Sequence, residues 1–174
     1  MANAKKTVVI GFVGSTLDQG KRPERWQRWR PTLSLLMHED FIVDELVLLH
    51  DRQHRNLVDF IREDAAEVSP QTTVSGYKIS IRDPWDFAEV YGALYDFVKT
   101  NSFDTEKNNY LLHITTGTHV AQICWYLLVD ANYLPAKLLQ SAPNQQKTPQ
   151  GEYRVIDLDL SRYDVLKQRF EDEQ

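Results

Sequence analysis

The sequence predicts an α/β domain of Rossmann-like type: a doubly wound, mostly parallel sheet of about six strands with helices on both faces. Three observations predict it. Short β-branched, apolar runs alternate with amphipathic helical segments along the chain, the pattern of repeated strand–helix–strand units. Two of the runs, Thr7–Val13 and Tyr110–Ile114, are apolar throughout, as strands covered on both faces are. Each is followed by a loop of small, hydroxyl-bearing residues, Gly14-Ser15-Thr16 and Thr115-Thr116-Gly117-Thr118.

Taken in order, Thr7–Val13 is the first strand and Gly14–Gly20 its loop. Gly14 and Gly20 are one residue too far apart for a Walker A loop, and Arg22 stands where that motif needs Ser or Thr. Gly11-Phe12-Val13-Gly14 does not complete a dinucleotide fingerprint. An ATP core is excluded, a NAD site is not expected, and no cofactor is predicted. Lys21–Arg30 follows, with five basic residues and two tryptophans. Trp26, Trp29, Leu33 and Leu36 keep helical spacing, which favours core over base-stacking for the tryptophans. Pro31 implies either a kink in this helix or its true start. Arg25 and Arg28 lie one turn apart, able to meet a phosphate near the Gly14 loop or to pair with carboxylates.

Ile42–Leu49 reads as the second strand, Gln53–Glu67 as an amphipathic helix, and Thr73–Ile81 as a third, partly exposed strand. Asp83 as N-cap and Pro84 open a helix with Phe87, Val90, Tyr91, Leu94 and Val98 on one face. Tyr110–Ile114 is the fourth strand. Val120, Ile123, Cys124, Leu127, Leu128 and Ala131 then mark an amphipathic helix. Ala136–Ser141 is a short strand, 142–151 a Pro/Gln/Asn-rich hairpin loop, and Tyr153–Leu160 the last strand. Ser161–Gln174 reads as a closing helix with an acidic end, as in a cut chain or a lead-in to a further domain.

The chain has 174 residues, 42% of them hydrophobic, enough for one domain with a real core over 1–174. Its formal net charge of −5 excludes a general nucleic-acid-binding surface but not a local basic site. The single Cys124 reads as a core residue, and one cysteine rules out a disulfide framework. No signal peptide, myristoylation glycine or membrane span is read, so a soluble cytoplasmic protein is expected.

In the common strand order 3-2-1-4-5-6, strands one and four are neighbours at the topological switch point, where ligands bind beyond the strand ends. The Gly14 and Gly117 loops should then lie side by side. A helix N-terminus with unpaired N–H groups after Gly117 can hold an anion such as phosphate. The same residues also make a well-capped turn with no ligand. His119, in the first helical turn, can contact a phosphate, act as a base on a ribose hydroxyl, or be structural. His50 and His54 have a spacing compatible with metal, but no further ligand joins them and no metal is predicted. No elbow motif surrounds Ser15, so no catalytic residue is assigned. His113 reads as a buried strand residue, and Asp157 and Asp159 as solvated residues on one strand face.

Thr7–Asp18, Arg25–Thr32, Leu112–Tyr126 and Val155–Arg169 together resemble the N-terminal domain of the RtcR family, sigma-54-dependent activators of an RNA-repair operon. The resemblance covers essentially the whole chain. It implies a CARF domain, a Rossmann-like sensor, that binds RNA ends or oligonucleotides carrying 2′,3′-cyclic phosphate. Binding would relieve inhibition of an AAA+ ATPase that works with sigma-54 RNA polymerase. That ATPase and the DNA-binding helices are absent from this sequence. The resemblance further implies a homodimer and a ligand site on Gly14, Ser15, Thr16, Thr115, Thr116, Gly117, Thr118 and His119. Arg25 and Arg28 join these from the basic run. Many CARF domains bind cyclic oligoadenylate, often with Lys or Arg after the glycine turn, where this chain has Thr118-His119. Three readings follow: a non-enzymatic RNA-end sensor, a metal-independent ring nuclease, and a dimerisation module with a vestigial pocket.

Overall fold

The structure is a computed structural model and describes residues 3–158 and positions 168, 169, 171 and 172. Six strands form one sheet in the order β3-β2-β1-β4-β5-β6, the order expected. They are β1 (Lys6–Phe12), β2 (Glu45–His50), β3 (Thr73–Lys78), β4 (Asn108–His113), β5 (Ala136–Ala142) and β6 (Glu152–Ile156). All pairings are parallel except that of β5 with β6. The closing helix expected over Ser161–Gln174, and Asp159–Leu160 of the last strand, lie outside the described residues apart from the four positions named, which are helical.

Alternation along the strands divides the apolar residues between two faces. Val8, Ile10 and Leu112 face α2 (Phe87–Thr100) and α3 (His119–Asp130), in a core centred on Leu94, Trp125 and Leu128. Val9, Leu46, Leu48 and Leu111 face the other way, under α1 (Arg55–Val68), against Val58, Ile61, Leu33 and Leu36. Each fully buried leucine contributes roughly 1.5–3 kcal/mol. Cys124 is fully buried in the first core, as its place on the apolar face predicts.

Two local expectations are corrected. The basic run is no α-helix: Pro23–Gln27 and Leu33–Met37 are separate 3-10 turns, and Arg28 between them is extended. Pro31 supplies no N–H and disfavours the helical region for the residue before it, so the helical spacing around it never becomes a helix. Secondly, α2 begins three residues later than Asp83-Pro84 suggests. Its N-cap is Asp86, whose carboxylate accepts the Glu89 N–H at 2.8 Å. Residues 79–86 become a crossing segment instead, and this matters for the site.

Candidate functional site

The carboxyl ends of β1, β2, β3 and β4 surround a cleft of about 1140 Å³. Its floor is the switch point between β1 and β4. Thr116 Oγ1 donates to the Phe12 carbonyl at 2.6 Å and stitches the two loops together, so the side-by-side placement read from strand order holds. Gly14, Ser15, Thr16, Thr115, Thr116, Gly117, Thr118 and His119 all line the cleft.

The β1 loop is a closed turn built on Asp18, a residue the sequence reading left unassigned. Asp18 is fully buried. Its carboxylate accepts the N–H of Gly14 at 2.9 Å, the N–H of Thr32 at 2.9 Å, and the Thr32 hydroxyl. Burial pushes this carboxyl above its ordinary range, and the donors from Thr32 and Gly14 pull it back. A Cβ on Gly14 would collide with Asp18 Oδ2, so glycine leaves the room the carboxylate uses to close the turn. Ser15 and Thr16 project from it, exposed, with no hydrogen bond to the described chain.

In the β4 loop the hydroxyls expected to meet a ligand are occupied by protein. Thr115 Oγ1 donates to the Ser141 carbonyl at 3.0 Å and accepts the Ser141 N–H at 2.8 Å. Thr118 caps α3 by accepting the Ala121 N–H at 3.2 Å, and its hydroxyl donates to the Pro84 carbonyl at 2.8 Å. Gly117 takes φ +89, a left-handed conformation that brings the chain into α3. What this loop offers a ligand is backbone: the N–H groups of His119 and Val120 have no acceptor among the described residues. His119 is exposed, and Nδ1 lies 3.3 Å from Gln122 Oε1, which leaves Nε2 free.

Arg25 and Arg28 do not reach the cleft, and here the structure departs from the expectation. Arg25 turns to the far side of its segment and forms a two-pronged pair with Asp64, Nε–Oδ2 and Nη2–Oδ1 both at 3.0 Å. Arg28 Nη1 donates to the Leu17 carbonyl at 2.6 Å and straps the outside of the β1 loop. Of the two fates open to these arginines, carboxylate pairing wins for Arg25 because Asp64 is buried and needs a counter-ion.

The cations of the cleft come instead from just beyond β2 and β3: Arg52, Lys78 and Arg82. None forms an ion pair among the described residues. The two carboxylates beside them are engaged. Asp51 Oδ1 accepts the His54 N–H at 2.9 Å and contacts His54 Nδ1 at 2.6 Å. Glu89 accepts the backbone N–H groups of Arg82 and Asp83. A usable signal existed, since ligands in such a fold bind in the crevice beyond the carboxyl ends of the strands. Among the described residues no group of three or more His, Cys, Asp or Glu can hold a metal ion.

The family model described as regulator of RNA terminal phosphate cyclase matches residues 5–174. The chain belongs to the RtcR family. It is 51% identical over 173 residues to the transcriptional regulatory protein RtcR of Escherichia coli strain K12, a match covering 97% of this chain and 32% of that protein. It thus spans about a third of the length of that RtcR relative. Among solved structures, Csm6 of Enterococcus italicus, bound to cyclic hexa-2′-fluoro-hexa-dAMP, is similar with a TM-score of 0.64 and 12% identity, over 97% of this chain and 45% of that one. Can2 of Sulfobacillus thermosulfidooxidans, in complex with cyclic tetra-adenylate, is similar with a TM-score of 0.54 and 12% identity, over 87% of this chain and 37% of that one. At such identity the likeness is one of fold, and the RtcR-family chain has the CARF fold. No described helix is long and apolar enough to cross a membrane.

Proposed function

We propose that this chain is the ligand-sensing domain of a cytoplasmic, dimeric RtcR-type activator, and that its cleft binds RNA ending in 2′,3′-cyclic phosphate. Binding relieves inhibition of an AAA+ ATPase that acts with sigma-54 RNA polymerase. One observation carries the reading: a chain of net charge −5 gathers three unpaired cations and the free N–H groups of a helix N-terminus in one cleft. Such a site suits a polyanion with a terminal phosphate. The printed names of the relatives support the ligand class, since the matched family regulates an RNA terminal phosphate cyclase and both structural neighbours hold oligonucleotides.

The test is a titration of one RNA sequence with three ends: cyclic phosphate, monophosphate and 3′-hydroxyl. Cyclic-phosphate RNA is expected to bind tightest, and equal affinity for the 3′-hydroxyl form sinks the reading. The variant Arg52→Ala/Lys78→Ala/Arg82→Ala is expected to lose about a hundredfold in affinity. Its plot of log K against log salt should flatten by about 2, at roughly 0.7 per single-strand phosphate contact removed.

The Asp51–His54 pair favours a second reading, a metal-independent ring nuclease acting on cyclic oligoadenylate. A carboxylate on Nδ1 orients His54 as a base whose Nε2 is free. In this reading His54 takes the proton of a ribose 2′-hydroxyl as its oxygen attacks the adjacent phosphorus. The P–O5′ bond breaks and His119 protonates the leaving oxygen, giving a 2′,3′-cyclic phosphate and a 5′-hydroxyl. Slow linearisation that survives chelator and is lost in His54→Ala is the expected result. Substrate unchanged after long incubation removes this reading.

A further inference from the structure

The segment from Ile79 to Asp86 helps line the cleft, and its backbone is held by several hydrogen bonds. Glu89 binds the N–H groups of Arg82 and Asp83. Asp83 Oδ1 accepts the Trp85 N–H at 2.9 Å. The Pro84 carbonyl takes the Thr118 hydroxyl at 2.8 Å, which ties the segment to the start of α3. On this anchored backbone the Trp85 side chain is 62% exposed, whereas Trp125 is fully buried. Trp85 lines the cleft. No aromatic ring or cation of the described residues packs on its indole.

A large aromatic face held in place yet uncovered is a surface awaiting another flat group. Its setting says which group. Trp85 follows Pro84, whose carbonyl accepts the hydroxyl that caps α3, and it lines the same cleft as Thr118 and His119 at the start of that helix. Arg82, on the same segment, forms no ion pair among the described residues. Aromatic face, helix N-terminus and guanidinium lining one cleft fit a nucleotide: base on the ring, phosphate on the donors.

We propose that Trp85 is the stacking platform for the base of the terminal nucleotide, the one whose phosphate docks at the N-terminus of α3. This rests on the reading of the cleft as an RNA-end site. The platform requires a base but does not identify it, because every base offers a π-face. It also requires that base to be unpaired, so the ligand is a single-stranded terminus, and a blunt duplex end is refused.

The experiment uses one RNA with a 2′,3′-cyclic phosphate end in three forms: terminal nucleotide intact, terminal nucleotide abasic, and terminal nucleotide paired in a blunt duplex. Wild-type chain is expected to bind the intact single strand about 5- to 150-fold more tightly than the abasic one, the range for one base stacked on an aromatic. The blunt duplex should bind as weakly as the abasic strand. Trp85→Ala should bind intact and abasic strands alike at the weak level, and Trp85→Phe should restore most of the difference. Equal wild-type affinity for intact and abasic strands overturns the inference; a retained preference for cyclic phosphate over 3′-hydroxyl would then show that the cleft reading survives it. Loss of that end preference in the wild type overturns the cleft reading itself. The abasic comparison in the wild type needs no variant to fold.

Discussion

Replacing Asp64 with alanine is expected to lower the stability of the chain by about 3–5 kcal/mol, read by urea unfolding. Asp64 is the counter-ion of two arginines. Arg30 Nη1 reaches its Oδ2 at 2.6 Å, with the two side chains only 2% and 3% exposed. Arg25 adds its two-pronged pair from the solvent side, 17% exposed. Both guanidiniums lie over the Phe60 ring, at 5.0 and 5.6 Å from its centroid. Without the carboxylate, Arg30 keeps a single acceptor, the Asp18 carbonyl at 3.2 Å from Nε, and its Nη2 already has none. A buried positive charge would remain with no ion pair, balanced only in part by the buried Asp18 carboxyl. Arg25→Ala should cost far less, because the Arg30–Asp64 pair survives it. A loss below about 1 kcal/mol for Asp64→Ala would show that Arg30 escapes to water. The effect reaches the site as well, since Arg30 steadies the Asp18 carbonyl while the Asp18 carboxylate closes the β1 loop against Gly14.

The sheet was legible because its central strands are short apolar runs, its outer strands alternate, and turn residues bound them. The common strand order of such folds then placed the two apolar strands with hydroxyl loops side by side at the switch point, and Thr116 binds Phe12 there. The arginine–tryptophan segment was not legible. Its spacing is helical, yet Pro31 and the demand of buried Asp64 for cations shape it more strongly than propensity. The same demand took Arg25 away from the cleft. The threonines of the β4 loop line the cleft, but their hydroxyls bond within the protein, which the sequence pattern does not show. Arg52, Lys78, Arg82 and Trp85 carry no motif. They belong to the site only through strand order, which places the ends of β2 and β3 around one crevice, and through the late start of α2 at Asp86.

The second large effect is a loss of stability in acid, traced to His113. This residue ends β4 and is 1% exposed. Its Nε2 lies 2.8 Å from Ser141 Oγ, and that hydroxyl donates onward to the Pro31 carbonyl at 2.9 Å. Ser141 has one proton and gives it to Pro31, so the imidazole must be the donor to Ser141: the neutral tautomer with hydrogen on Nε2. Burial drives the pKa of His113 down from 6.5 to about 3. A group depressed in the folded state contributes its full stability above its unfolded pKa, here 6.5, and loses it as pH falls toward the folded value. At about 1.4 kcal/mol per pH unit, the loss from this residue is about 2 kcal/mol at pH 5 and about 4 kcal/mol at pH 3. Urea unfolding at pH 7 and pH 5 measures it. His113→Gln, which keeps an amide N–H for Ser141 and does not titrate, should reduce the pH 7 to pH 5 difference by about 2 kcal/mol. Other titrating groups, Asp18 with its raised carboxyl among them, act in both proteins and cancel in the comparison. An unchanged difference in His113→Gln would mean that the imidazole is protonated in place, with Ser141 turned to accept from it and the Pro31 contact given up. The neutral imidazole also bears on the site. Thr115 begins the ligand loop two residues beyond His113 and is held by the backbone of the same Ser141. Because the folded imidazole stays neutral until pH approaches about 3, the His113–Ser141–Pro31 chain and the β4 loop it supports are intact at pH 5, so His113 should add no change in the folded chain's affinity for a phosphate end between pH 7 and pH 5.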